Sequence, residues 1–228
     1  MKRLKKVSIL GCGWVGNALK AELESKGHTV HCLSRDIKLN VSAHFYDVDV
    51  LIIAIPPSTQ EYLDVLEATL YYLKKENHTQ VIFLSSISYY DGKAAVVEAE
   101  TLMQTLLEDV IILRLGGLMG YERIAGKYTA GKVLTSDART NYVHRDDVVS
   151  ILEHLIEQDV RGEVFDVVAP IQSTKQTIFT QNAKKFGFKP TEFLNGDDVG
   201  KVLSPTKLCE VLDYTFIKPD VLAFWDER

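Results

Sequence analysis

Apolar runs and amphipathic stretches alternate along the first half of the chain. The run at 50–55 is short and continuously apolar, which is typical of a strand that is buried on both faces. Between these runs, apolar residues recur at helical spacing. The predicted strands cover 7–10, 28–33, 50–55, 80–84 and 110–115. This alternation predicts an α/β fold in which helices cover both faces of a doubly wound parallel sheet.

Two regions depart from this regular pattern. The connection from Arg35 to Asp49 has room for little more than one edge strand near 44–46, so we expect the sheet to be trimmed on that side. From Gly116 to Gly131 the chain is glycine-rich and irregular. A predicted helix at 146–157 and a predicted strand at 163–168 then restore the α/β pattern.

The first predicted strand runs directly into a glycine motif. Gly11-Cys12-Gly13-Trp14-Val15-Gly16 follows the strand, and an amphipathic helix follows the motif. In such a motif Gly11 permits a tight turn, Gly13 lets a pyrophosphate approach the backbone, and Gly16 allows close helix packing. The free N–H groups and the positive end of the helix dipole then face the phosphates. Because a strand precedes it and a helix follows it, the motif predicts a dinucleotide site rather than a glycine turn without a ligand.

The composition is that of a soluble globular protein with an ordinary core. Of 228 residues, 46% are hydrophobic and 25% are charged, and the formal net charge is −5. No basic patch extends beyond the first six residues, so nucleic acid is not an expected partner. No apolar stretch approaches the ~20 residues of a membrane span. Cys12, Cys32 and Cys209 show no metal-ligand spacing and predict a cytoplasmic protein without a disulfide framework.

The end of the second predicted strand bears on which dinucleotide is bound. An acidic residue at this place selects NAD through the ribose hydroxyls, whereas an arginine beside a small hydroxyl residue suits a 2′-phosphate. Ser34 and Arg35 stand at the expected place, about 20 residues after the glycines. A guanidinium fork also matches phosphate geometry. We therefore predict NADP, with NAD as the alternative if Arg35 is a solvated loop residue and Asp36 holds the ribose.

Seven segments, taken in their order and spacing, resemble the extended branch of the short-chain dehydrogenase/reductase superfamily. They are GCGWVG, IIAIPPS, FLSSISYYDG, ILRLGGLMG, NYVHRDDVV, EVFDVVAP and SPTKLCEVLDYTFIKPD. More narrowly, the chain is similar to atypical members of the NAD-dependent epimerase/dehydratase type, and the likeness covers nearly its whole length. The resemblance implies a single Rossmann-type, NAD(P)-binding α/β unit over 1–228. Within it, 1–116 would form the dinucleotide-binding core, and 117–228 a small substrate lobe with returning core elements.

The resemblance also implies which residues hold the dinucleotide. Residues after the third predicted strand would lie along it, and residues after the fourth and fifth strands would lie at its nicotinamide end. The full predicted set is Gly11, Gly13, Trp14, Val15, Gly16, Ser34, Arg35, Ala54, Ile55, Pro56, Ser85, Gly116 and Gly117. His144 and Asp147 lie in the segment that returns the chain from the lobe. We expect them to be structural, because a helix begins at Asp147.

Enzymes that the chain resembles use a serine or threonine, a tyrosine, and a lysine four residues after that tyrosine. The tyrosine acts as general acid/base, the lysine lowers its pKa, and the serine orients the substrate oxygen. Ser86 matches the serine, but the region after it is contracted. If Glu100 is aligned with the family's helix glutamate, Gly92 and Val96 stand where the tyrosine and the lysine belong. The sequence therefore departs from the family at its acid/base pair.

Two tyrosines and a lysine nonetheless lie close to Ser86 along the chain. Tyr89 and Lys93 have the Tyr-x-x-x-Lys spacing, but Asp91-Gly92 is a turn signal, so we do not expect the pair to share a helix. Tyr90 better matches a tyrosine that the family carries after its serine. The candidate catalytic residues are thus Ser86, Tyr89, Tyr90 and Lys93, as a rearranged set. The alternative is that both tyrosines only pack.

Two functions fit this sequence. The first is an NADP(H)-dependent oxidoreductase or epimerase that acts on a carbonyl or hydroxyl group of a small molecule with nonstandard acid/base residues. The second is a catalytically silent NADP(H)-binding regulator or redox sensor. The resemblance further implies a homodimer through helices 59–74 and 94–107. Tyr71 and Tyr72 would then belong either to the contact face or to the core.

Overall fold

The computed structural model of the chain describes residues 3–34, 43–58, 61–73, 78–194, 197–198 and 200–226. The chain divides into two units, one of Met1–Arg114 with Val149–Phe165 and one of Leu115–Val148 with Asp166–Arg228. In the described residues, the helices in chain order are α1 (Trp14–Ser25), α2 (Tyr62–Leu73), α3 (Ala94–Leu106), α4 (Arg145–Gln158), α5 (Lys175–Phe186) and α6 (Thr206–Leu212). The strands are β1 (Lys6–Leu10), β2 (Thr29–Leu33), β3 (Val50–Ile53), β4 (Gln80–Ser86), β5 (Ile111–Leu115), β6 (Gly117–Met119), β7 (Val133–Leu134), β8 (Asp137–Ala138), β9 (Tyr142–His144), β10 (Val164–Val167), β11 (Glu192–Phe193) and β12 (Asp197–Asp198).

Six of these strands form one parallel sheet, in the order β10-β5-β4-β3-β1-β2. The five strands predicted from apolar runs are present, and so is the strand predicted at 163–168. All four residues of β3 are buried, as expected for a strand with a helix layer on each side. The predicted α/β, doubly wound parallel sheet is therefore confirmed.

The sheet ends at β2 in the described part of the chain, as the short connection after this strand predicted. The expected edge strand near 44–46 is wrong, because Ala43–Phe45 forms a 3-10 turn. Phe45 and Tyr46 are consecutive, yet both are buried in the same core. A strand would point them to opposite faces. The turn instead allows Tyr46 to stack on Tyr72, with ring centroids 4.9 Å apart.

The order of the strands reverses at β1. The chain runs from β1 to β2 on one side and then crosses to β3 on the other side of β1. Val7 of β1 consequently lies between Val30 of β2 and Val50 of β3. In open α/β sheets, ligands bind outside the carboxyl ends of the strands at such a reversal. The glycine motif follows β1 directly and therefore lies at this position.

The second unit consists of shorter elements. Three pairs of parallel strands, β6 with β9, β7 with β11 and β8 with β12, accompany α5 and α6. Its buried core comprises Ala125, Ala169, Ile178, Phe179, Val221 and Phe224. Among the described residues of the whole chain, no helix is both long and apolar enough to cross a membrane.

Candidate functional site

The turn between β1 and α1 requires glycine at two positions for steric reasons. Gly11 has a φ of +116°, and a Cβ there would lie 2.6 Å from the carbonyl carbon of Ala54. A Cβ on Gly16 would collide with the carbonyl oxygen of Gly11 and lie 3.3 Å from Cγ2 of Ile9. Larger residues at either position would separate α1 from β1 or β3. The predicted roles of these glycines in turn and packing agree with this geometry.

Gly13 differs from its neighbours because packing does not require it. Its φ is −86°, which any residue adopts, and no described atom lies within 4 Å of the place a Cβ would occupy. Gly13 is the N-cap of α1, and it makes no side-chain capping bond. Trp14 is half-buried and Val15 is buried.

The glycine turn is held between the ends of β2 and β3 by backbone hydrogen bonds. The N–H groups of Gly11 and Cys12 donate to the carbonyl oxygen of Leu33, at 3.0 and 2.8 Å. The N–H of Ala54 donates to the carbonyl oxygen of Leu10 at 2.7 Å. The ends of three adjacent strands are thus fixed together at one edge of the sheet.

Other predicted cofactor residues follow these strand ends. Ile55 is buried, whereas Pro56 and Ser34 are exposed at the same edge. Arg35, which the NADP prediction depends on, lies outside the described residues, as does Asp36. The predicted choice between the two dinucleotides therefore stays a prediction.

A disulfide joins Cys12 of the glycine turn to Cys32 of β2, with their Cα atoms 5.7 Å apart. The prediction that the chain has no disulfide is wrong for this pair, and Cys209 is a free thiol. The pairing follows from the backbone, because the bond from the Cys12 N–H to Leu33 places Cys12 beside the end of β2. Among the described residues, no cluster of histidine, cysteine, aspartate and glutamate could hold a metal ion.

At the end of β4, a second group of polar residues lies around a buried ion pair. Glu100 of α3 is fully buried, and its carboxylate accepts hydrogen bonds from Arg114 Nε at 3.1 Å and Nη2 at 2.7 Å. Ser85 Oγ donates to the same carboxylate at 2.5 Å. Burial lowers the pKa of Arg114, but the hydrogen bonds and charge of Glu100 outweigh it and raise the pKa above its usual value. Arg114 is therefore a fixed cation.

Both candidate tyrosines contact this cation. Arg114 Nη1 donates to the hydroxyl oxygen of Tyr90 at 3.0 Å. The guanidinium carbon lies 3.6 Å from the ring centroid of Tyr89, in cation–π geometry. The two rings pack edge to face at 5.7 Å. The sequence analysis did not predict that Arg114 contacts the two tyrosines. An arginine inside the apolar strand Ile111–Leu115 was a detectable signal of such a role.

Ser86 and Lys93 are placed differently. Ser86 Oγ accepts a hydrogen bond from the N–H of Ser88 at 3.2 Å and so caps the 3-10 turn Ile87–Asp91. Tyr89 lies in this turn, whereas Lys93 is the exposed N-cap of α3. The two residues do not share an α-helix, as the turn signal between them predicted.

Gly116 and Gly117 belong to the second unit, where packing requires both. A Cβ on Gly116 would collide with the carbonyl oxygen of Asn141, and one on Gly117 would lie 2.5 Å from Cδ1 of Tyr142. The N–H of Gly117 donates to the carbonyl oxygen of Asn141 at 2.8 Å. Their predicted role at the nicotinamide end stays a prediction.

Asp147 is structural, as predicted, but it does not cap a helix. Its buried carboxylate accepts hydrogen bonds from the hydroxyl of Tyr214 at 2.9 Å and from the N–H groups of Ile217 at 2.6 Å and Lys218 at 3.0 Å. Burial raises the pKa of Asp147, and these hydrogen bonds oppose the increase. His144 is also buried, with its ring 5.4 Å from that of Phe224.

The reversal of strand order, with a glycine turn that is closed at Gly11 and Gly16 and open at Gly13, defines the class of Rossmann-type dinucleotide folds. No family model matches the sequence. The chain is similar to Protein YeeZ of Escherichia coli K12, with 26% identity over 96% of this chain and 98% of that protein.

Two solved structures show the same likeness in three dimensions. One is a Methylobacillus flagellatus protein described as an NAD-dependent epimerase/dehydratase, with a TM-score of 0.79, 21% identity, and coverage of 98% of this chain and 97% of that one. The other is a short-chain dehydrogenase/reductase superfamily protein of Agrobacterium tumefaciens with bound NAD, with a TM-score of 0.74, 13% identity, and coverage of 95% and 94%. The predicted resemblance is thus confirmed at the level of the fold.

Proposed function

We propose that the protein binds a nicotinamide dinucleotide at the glycine motif and uses it to oxidise, reduce or epimerise a small molecule at a carbonyl or hydroxyl group. The observation that carries this proposal is the contrast among the three glycines. Backbone lies against Gly11 and Gly16, but Gly13 faces open space. A ligand that approaches the backbone at Gly13 explains a glycine there. The residues of the motif therefore fit the cofactor.

The surroundings of the motif support the same proposal. Ser34 follows β2, the segment 54–56 follows β3, and Ser85 lies near the end of β4. All three are at the carboxyl ends of the strands, where such ligands bind. The Agrobacterium tumefaciens neighbour carries bound NAD. When bound, a nicotinamide ring supplies hydride transfer, and the protein supplies orientation and a proton. We propose that the proton-transferring group belongs to the set Ser86, Tyr89, Tyr90 and Lys93.

The test of this proposal is a titration with NADPH followed by a turnover assay. We expect binding in the micromolar range, which is typical of KM values of enzymes. We also expect loss of NADPH absorbance with at least one member of a panel of aldehydes, ketones and nucleotide sugars. A protein that binds NADPH but oxidises it with none of them would fit the alternative of a silent regulator. A protein that binds neither NADPH nor NADH contradicts both functions.

The preference for NADP is tested at Arg35. Arg35→Ala should weaken NADPH binding about 10- to 100-fold, since a charge-assisted contact contributes roughly 1.5–3 kcal/mol. NADH lacks the 2′-phosphate, so its affinity should change little. Lys38→Ala removes the same charge from the same segment of the sequence and serves as the control. Equal NADPH affinity in Arg35→Ala and wild type would show that Arg35 does not hold the phosphate.

We also propose a homodimer through α2 and α3 and a cytoplasmic location, where the cofactor is available. The two tyrosines of α2 have different environments. Tyr72 stacks on Tyr46, whereas Tyr71 is 62% exposed. Tyr71→Asp should shift the protein from dimer to monomer in light scattering after size exclusion. Tyr128→Asp, at a site that is 77% exposed in the second unit, is the matched control. A monomeric wild type would refute the dimer.

A further inference from the structure

One cation contacts a tyrosine hydroxyl at the end of β4, and it comes from an unexpected residue. Arg114 Nη1 donates to the Tyr90 hydroxyl oxygen at 3.0 Å. Arg114 lies in β5, whereas Lys93 is the exposed N-cap of α3. A cation that donates a hydrogen bond to a phenol oxygen stabilises the ionised form of that phenol. This is the task that general acid/base catalysis sets for a tyrosine.

Besides Tyr90, the side chains of Glu100 and Tyr89 contact the guanidinium. Glu100 accepts two of its N–H groups, and the face of Tyr89 packs 3.6 Å from the guanidinium carbon. Ser85 occupies a further position on the Glu100 carboxylate, and the side chains of Arg114 and Glu100 are only 12% and 1% exposed. The donor to Tyr90 is thus fixed before any substrate arrives, which is the condition for effective electrostatic stabilisation.

We propose that Tyr90 is the general acid/base of the reaction and that Arg114 is the positioning residue that stabilises its phenolate. This inference rests on the proposed function. As negative charge develops on the substrate oxygen, the O–H bond of Tyr90 breaks and a new O–H bond forms on the substrate. The phenolate that remains is paired with Arg114 and regains its proton from water. Arg114 keeps its own protons throughout, because a guanidinium does not deprotonate in proteins.

Tyr89 is assigned a different role from Tyr90. The cation lies over the ring face of Tyr89 and not at its hydroxyl, so Tyr89 orients the guanidinium. Because Arg114 supplies the cation, Tyr90 does not need a lysine four residues after it. The cation is supplied by the neighbouring strand β5 instead of the next turn of a helix.

Glu100 acts on Arg114 and on Tyr62 as a buried negative charge. Glu100 on α3 opposes ionisation of the Tyr90 phenol, but both of its oxygens already accept hydrogen bonds from Arg114. Tyr62 on α2 has its pKa raised by burial and then by the charge of Glu100, so it stays neutral. Arg114 places a full positive charge within hydrogen-bond distance of the Tyr90 hydroxyl.

The experiment follows the ionisation of Tyr90 by NMR of protein labelled at tyrosine Cζ, without cofactor or substrate. The chain has ten tyrosines, so the Tyr90 signal is assigned by its loss in Tyr90→Phe, with Tyr128→Phe as the control assignment. Two variants are compared, Glu100→Gln and Glu100→Gln/Arg114→Gln. They differ only at Arg114, and neither leaves a buried carboxylate unpaired. We expect the Tyr90 signal to titrate at least one pH unit lower when Arg114 is present.

Equal midpoints in the two variants would overturn the inference. If the variants fail to fold, Arg114→Lys keeps a cation at the same position, and its Tyr90 midpoint is then compared with that of wild type. An unchanged or lower midpoint with lysine would contradict a specific role of the guanidinium. NADPH titration of the wild type separates this inference from the proposed function. Loss of dinucleotide binding by the wild type refutes the proposed function, whereas insensitivity of Tyr90 to Arg114 refutes only this inference.

Discussion

Gly13→Ala should lower the affinity for NADPH at least tenfold, which corresponds to about 1.4 kcal/mol, while the protein stays folded. The φ of −86° accepts alanine, and no described atom lies within 4 Å of the new methyl group. As the N-cap of α1, alanine should cost at most about 1 kcal/mol of stability. The methyl group would instead occupy the space into which the pyrophosphate approaches. Isothermal titration calorimetry and thermal unfolding measure the two effects separately.

Gly16→Ala is the matched control for this prediction, because it should have the opposite outcome. Its Cβ would collide with the Gly11 carbonyl oxygen, so the same methyl group should destabilise the fold by about 2–3 kcal/mol. Unfolding in urea would show this as a lower midpoint. If Gly13→Ala instead binds NADPH as tightly as wild type, the open face of Gly13 is not the cofactor site.

Asp147→Ala should destabilise the protein by about 3–5 kcal/mol, the largest effect that we expect from one side chain. The substitution removes the acceptor of the Tyr214 hydroxyl and of the N–H groups of Ile217 and Lys218. Hydrogen bonds to a charged group contribute roughly 1.5–3 kcal/mol each, and groups left unpaired add a penalty. Asp147→Asn keeps one acceptor oxygen and should cost less. Urea unfolding of the three proteins at neutral pH measures the difference.

The carboxyl group of Asp147 should also make the stability of the protein depend on pH. Burial raises the pKa of Asp147 in the folded protein above its usual value of 3.8, so the folded state holds this proton to higher pH than the unfolded chain. The contribution of Asp147 to stability therefore falls as pH rises from its usual value through the raised one. Asp147→Asn has no titratable group at this position. The free energy of unfolding of this variant should therefore fall less with rising pH over this range than that of the wild type. A steeper slope in the variant would contradict the assignment.

The long elements could be predicted from the sequence because each repeats a pattern. β3 is a run of four apolar residues, and α4 presents apolar residues at helical spacing. The strands of the second unit have two or three residues, which is too short for any period. β6 and β9 pair because Gly117 packs against Tyr142, a contact between positions 25 apart that no local pattern contains.

One part of the candidate site could be predicted from local sequence, and the other part could not. The glycine turn could be predicted because its three glycines lie within six residues of the chain, between an apolar strand and an amphipathic helix. The Arg114–Glu100 pair could not be predicted as a unit, because it forms only once β5 lies beside β4 and α3 packs over them. Each partner alone gave a signal, since Arg114 interrupts an apolar strand and Glu100 occupies a buried helical position.

The Cys12–Cys32 disulfide makes the buffer a variable of every binding experiment on this protein. Cys12 stands between Gly11 and Gly13, so a preparation kept in dithiothreitol and one purified in air differ covalently at the glycine turn itself. Reduction would remove this covalent bond and leave the two hydrogen bonds from the turn to Leu33. Dissociation constants for NADPH are comparable only between samples whose thiol content has been measured.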